Sequence, residues 1–165
     1  MKKFELTTET KICDGRTLYR IKALESFGGV CAGDLGGWVE KEKNLSHDGN
    51  AWVSGNAQVS GDAQVFGDAR VSSNAWVSGD ARVYGNAQVY GNAQVMWISN
   101  IGSRNGTTTF FATKTGIYVN CGCFSGSLEA FAAAVDKNHG DSEHGKAYRL
   151  AIELAKLRIK LPEEE

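Results

Sequence analysis

Few side chains in this sequence are equipped for chemistry, and they are scattered along it. The histidines are His47, His139 and His144. An imidazole changes charge near neutral pH, so His47 is a candidate general base, the plain alternative being a turn histidine with no task. Cys121, Cys123, His139 and His144 form a C-x-C, fifteen-residue, H-x4-H layout. Two thiolates and two imidazoles suit a tetrahedral zinc ion. Against that, C-x-C is rarer than the two-residue spacing of zinc fingers, and both histidines sit in the polar stretch NHGDSEHG. Buried thiols and exposed histidines are therefore expected, and no metal is assigned. The stretch GGVCAGDLGG has neither the lysine nor the Ser/Thr of a phosphate loop, so tight turning accounts for its glycines. No cofactor is expected.

The elements that must position these residues are set by a repeat. Between Gly49 and Met96 the sequence has a period of six. Valine stands at 53, 59, 65, 71, 77, 83, 89 and 95, and alanine at 51, 57, 63, 69, 75, 81, 87 and 93. Asn or Asp precedes every alanine and glycine precedes seven of those eight, Ser73 being the exception. Six is an even number, so the alternation of faces along a strand survives each repeat: Ala and Val point one way, and the residues following each of them point the other. Gly-Asx pairs tolerate positive φ and let the chain bend once per repeat. A helix is excluded, because apolar spacing of two and then four does not track a 3.6-residue turn.

The stretch VSGNAQVSGDAQVFGDARV resembles the hexapeptide-repeat family of left-handed parallel β-helices, whose motif places an aliphatic residue at i and a small one at i+4. Val53 with Ala57, and so on to Val89 with Ala93, fit it. The resemblance implies a triangular prism of 18-residue coils, usually assembled as a homotrimer. With that coil, outward residues sort onto three faces. Trp52, Arg70 and Gln88 share the first, Gln58, Trp76 and Gln94 the second, and Gln64 with Arg82 and Phe66 with Tyr84 the third. Arg70, Arg82, Trp76 and Tyr84 are the candidate ligand-binding residues, although outward aromatics more often cover a neighbouring subunit or appendage. The family's commonest activity is CoA-dependent acyl transfer with a histidine base. No histidine lies within the repeat, which leaves His47 for that role, and the three coil histidines of the family's zinc carbonic anhydrases are absent. The residue after the aliphatic departs from family enzymes, being Ser, Phe, Tyr or Met. The lead-in from TLYRIKAL through GDLGGWVE to NLSHDGNA resembles phage and prophage proteins that carry this repeat.

Three parts are expected: an N-terminal β-rich cap at 1–45, the repeat at 46–97, and an α+β module at 98–165. In the cap, two strands flank Cys13-Asp14-Gly15 as a hairpin, and Trp38, Val39 and Leu45 are placed to plug the first coil. In the rear module three strands are joined by Asn-Gly and Thr-Gly turns, then come a helix capped by Ser127 and a second from Glu143 to Lys160 capped by Asp141 or Ser142. Tyr148, Leu150, Ile152, Leu154 and Leu157 supply its apolar side, opposite a polar stripe of Lys146, Arg149, Glu153, Lys156 and Lys160. The tail PEEE is expected to fray. Across 165 residues the net charge is -1, which provides no footprint for duplex nucleic acid and no polybasic membrane anchor. Two lysines near the start have no apolar segment behind them, so the chain reads as cytoplasmic, with Cys13, Cys31, Cys121 and Cys123 as thiols. The expected fold is mainly β, a short left-handed parallel β-helix with a front cap and a small α+β module. The expected function is binding without catalysis by a homotrimer, of a host protein or a small anionic ligand, with acyl transfer and a structural polymer as alternatives.

Overall fold

The six-residue period becomes a series of very short parallel strands. The computed structural model describes residues 1–162, Ala93 by its backbone alone. Contacts divide the chain into two compact units, Met1–Asn92 and Ala93–Glu165. The expected fraying of the tail PEEE, residues 162–165, falls outside the described residues from 163 onward.

In the first unit, β1 (Phe4–Cys13) and β2 (Arg16–Ala23) form the expected antiparallel hairpin. Asp14 and Gly15 turn it at φ of 50° and 71°, the left-handed pair that a two-residue turn requires. Strand β3 (Leu35–Val39) lies antiparallel on β2. Seven two-residue strands follow: β4 (Trp52–Val53), β5 (Gln58–Val59), β6 (Gln64–Val65), β7 (Arg70–Val71), β8 (Trp76–Val77), β9 (Arg82–Val83) and β10 (Gln88–Val89). Each pairs in parallel with the strand three repeats away. Val53 lies opposite Val71, Val71 opposite Val89, Val59 opposite Val77, and Val65 opposite Val83. Partners are thus eighteen residues apart, in three ladders. The inward valines and alanines from Ala51 to Val89 are fully buried. Backbone amides link coil to coil, Trp52 N–H donating to Ala69 O at 3.0 Å and Gln58 N–H to Ala75 O at 2.9 Å. At the corners Gly55, Gly61, Gly67, Gly79 and Gly85 have φ between 61° and 69°, and Ser73 is forced to 57° in the same place.

Trp38, Val39 and Leu45 do not plug the first coil; they are its rungs. Trp38 and Val39 pair in parallel with Gln58 and Val59, and Leu45 bridges to Val65. These partners are twenty residues apart, because Leu45 and Val53 are separated by eight residues where later repeats have six. The enlarged corner holds Ser46, His47, Asp48 and Gly49. A short 3-10 turn at Glu42–Asn44 precedes it and draws the Asn44 backbone N–H away to Lys41 O. The Asn44 side-chain amide replaces the missing rung, donating to Gly61 O at 3.1 Å and Ala63 O at 2.8 Å while its oxygen accepts from Lys41 N–H. Segment 24–37 covers the first ladder. Phe27 meets Trp52 edge-on at 5.5 Å, and Trp52 is buried.

The second unit is an antiparallel meander of β11 (Val95–Ile101), β12 (Gly106–Thr113), β13 (Gly116–Cys121) and β14 (Phe124–Ser127), one strand more than expected. Helices α1 (Leu128–His139) and α2 (Glu143–Arg158) begin at Ser127 and Ser142, whose hydroxyls accept from the amides of Ala130 and Gly145. The core includes Phe110, Val119, Phe131, Tyr148, Ile152 and Ala155. The apolar side expected on the last helix divides: Tyr148 and Ile152 face this core, whereas Leu150, Leu154 and Leu157 are exposed. No helix among the described residues is long and apolar enough to cross a membrane.

Two substitutions test this account by chemical unfolding. Asn44→Ala leaves two ladder carbonyls without donors and is expected to cost about 2–6 kcal/mol, at 1–3 kcal/mol for each orphaned group. Ser73→Gly removes a side chain from the left-handed region and should stabilise by about 1 kcal/mol; destabilisation there would contradict the corner geometry.

Candidate functional site

The third ladder and the enlarged corner together build a groove. In β6 and β9, Gln64 lies in register beside Arg82 on the outer face. One position past each valine, Phe66 stacks on Tyr84 with ring centres 4.9 Å apart and planes 3° from parallel. Gln64, Phe66 and Arg82, with Glu42 and Lys43 of the 3-10 turn and Ser46 and His47 of the corner, line an open groove of about 730 Å3. Arg82 is exposed, and Tyr84 and Phe66 are half-buried. A guanidinium, an amide and an aromatic face side by side can hold a planar anion. Asp62 holds Lys41 and Lys43, each at 3.0 Å.

His47 is tied down from both sides of its ring. The Lys3 backbone N–H donates to Nδ1 at 3.3 Å, and Nε2 lies 2.8 Å from a Glu42 carboxylate oxygen. An amide can only donate, so Nδ1 carries the lone pair and Nε2 the proton given to Glu42. No lone pair is left over for a substrate proton. The ring also stacks on Phe4 at 4.3 Å. Lys2 and then His47 hold the Glu42 carboxyl below the usual carboxylate range. The pair is arranged to pin the corner, with the tautomer set by the backbone.

The other candidate ligand residues stand on other faces. Arg70 is on the first ladder, where its guanidinium donates to Gly28 O of the covering segment. Trp76 is on the second ladder beside Gln58 and is exposed. A six-residue period sends residues 70, 76 and 82 to three successive faces, so Arg82 and Tyr84 alone of the four share one.

In the second unit, a cavity of about 370 Å3 is lined by Cys121, Cys123, His139 and Tyr148, with Phe124 and Phe131 among its walls. Thr108 donates to Cys121 Sγ at 3.1 Å, and the Cys121 thiol lies 3.4 Å from the Tyr148 hydroxyl. Burial first, and Cys121 second, push the Tyr148 phenol up to about 12. The layout weighed for zinc is not assembled. His139 and His144 have ring centres 6.2 Å apart, Cys123 and His144 are exposed, and among the described residues no group of three or more His, Cys, Asp or Glu is placed to hold a metal ion. All four cysteines are free thiols. Thr108 and Tyr148 carried no local sequence signal, because only the meander and α2 bring them to Cys121.

A family model described as the YdcK beta solenoid repeat matches residues 63–79 and 75–91, within the stretch that forms the ladders. No curated protein matched the chain. The chain therefore carries a β-solenoid repeat.

Lys3, whose amide fixes His47, also offers a pH test. It is 1% exposed, with Nζ 3.0 Å from Gly49 O and 4.7 Å over the Phe27 ring. Burial, then the charge of Arg70, pushes its ammonium down to about 8. An unfolded lysine titrates at about 10.4, so between the two values the unfolded chain binds more protons and stability rises with pH. Below pH 8 both states are charged and the burial cost stands in full. Unfolding midpoints are expected to climb from pH 8 to 10 in the wild type and to climb less in Lys3→Met; equal slopes would exclude Lys3 as the source.

Proposed function

We propose that the protein is a non-catalytic binding scaffold, a homotrimer wound as a left-handed hexapeptide-repeat β-helix, that captures a small planar anion such as a nucleotide in the groove over its third ladder. The observation that carries this reading is the juxtaposition of Arg82, Gln64 and Phe66 in one open groove, with Tyr84 stacked against Phe66. A phosphate suits the guanidinium, which binds such oxyanions in a fork. A purine or pyrimidine suits the aromatic faces. The likeness of the lead-in to phage-type proteins makes a cytoplasmic role in taking up a host nucleotide signal the purpose that fits this chemistry. Capture of a host protein on the same face is the form the function takes if nucleotides do not bind.

Acyl transfer from CoA is the competing reading, and it would depend on His47. Both ring nitrogens of that residue are already engaged by Lys3 and Glu42, which supports binding over catalysis.

The test is calorimetric titration of the full chain with ATP, AMP and inorganic phosphate. Nucleotides are expected to bind more tightly than phosphate, Arg82→Glu and Tyr84→Ala each to weaken them at least tenfold, and Trp76→Ala, on the second ladder, to leave affinity unchanged. Steady acetyl transfer from acetyl-CoA that vanishes in His47→Ala would replace this proposal with the acyltransferase reading.

A further inference from the structure

Helix α2 carries two apolar faces, and its own unit uses one of them. Tyr148, Ala151, Ile152 and Ala155 are buried in the core of the second unit. Leu150 is 72% exposed, Leu154 45%, Leu157 73% and, just past the end of the helix, Leu161 51%. These account for four of the ten large hydrophobic residues exposed among the described residues. Their spacings are four, three and four residues. Within the helix the spacings of four and then three average 3.5 residues and lay Leu150, Leu154 and Leu157 along one seam, the pattern by which helices interlock side by side, with Leu161 just beyond its end. An apolar seam of this length is not left in water without reason.

The charges beside the seam say what covers it. Glu153 immediately precedes Leu154, and Arg158 immediately follows Leu157. When two such helices run parallel and in register, those flanking positions meet across the seam, carboxylate to guanidinium. Within one helix they cannot meet, because residues five apart point to different sides. Glu153 spends one carboxylate oxygen on Lys156, at 2.8 Å, and keeps the other. Leucine facing leucine, with opposite charges exchanged at the edges, is a self-complementary surface.

We infer that the Leu150–Leu157 seam of α2 is a self-association surface, occupied by the same seam of other copies of this chain in parallel register. The inference rests on the homotrimer proposed above, since a three-fold axis is what runs identical helices parallel.

Native mass spectrometry of the full chain tests it, with circular dichroism to confirm that helix content is kept. The wild type is expected as a trimer and Leu154→Gln/Leu157→Gln as a monomer; both positions are solvent-facing, so the unit itself should fold. At low salt, Glu153→Arg and Arg158→Glu should each weaken association about tenfold, and the double reversal should restore it. In an antiparallel pair Glu153 would no longer meet Arg158, and the double reversal would then rescue nothing, overturning the parallel register. A trimer unaffected by the leucine substitutions overturns the seam and leaves the trimer standing, whereas a monomeric wild type overturns both.

Discussion

Everything in the first unit depends on the parallel ladder, in which an amide of one coil finds a carbonyl of the next. Trp52 donates to Ala69, Gln58 to Ala75, Gln64 to Ala81 and Arg70 to Ala87, at 2.8 to 3.0 Å. A strand of two residues buries too little to be stable alone, so its hydrogen bonds must come from its neighbours along the axis. Those bonds form only if every coil has the same length, and that is why no position in the repeat slips between Ala51 and Val89. The interior follows from the same constraint. From Ala51 to Val89 the inward positions hold only Ala and Val, and each of these side chains is completely shielded from water.

Where the period fails, the structure supplies a substitute. Two extra residues before Val53 break the register of the first coil, and one asparagine amide then does the work of two backbone donors. The same irregularity produces the groove. The longer corner brings Ser46 and His47 beside Gln64, Phe66 and Arg82 of the third ladder. His47 serves that corner, its ring fixed between the Lys3 amide, the Glu42 carboxylate and the Phe4 ring.

Polar groups in the second unit are organised differently. Its thiol, phenol and hydroxyl come from β13, α2 and β12, elements distant in sequence that the sheet and helix bring together. Gly102 shows how close this packing is: at φ 78°, a Cβ there would fall on the Tyr148 hydroxyl. A tyrosine so enclosed keeps its proton, and Cys121 is kept as a partner of Thr108 and Tyr148 in place of a metal ligand.

By itself the sequence determined whatever depends on local periodicity. An even repeat of Val, Ala and Gly-Asx dictates strands, bends, an inward face and a division of outward residues among faces, and Ser127 and Ser142 mark where the helices begin. The same arithmetic, carried backwards, could have placed Val39 and Leu45 on the inner face, six residues apart. Only the tertiary structure decided which outward residues meet, because contact depends on what else arrives at a face: segment 24–37 over Trp52 and Arg70, an enlarged corner beside Arg82, and nothing from its own unit over Leu150, Leu154 and Leu157. Side chains of one chemical type can be covered, shared or left open, and that outcome is fixed by segments far away in the chain.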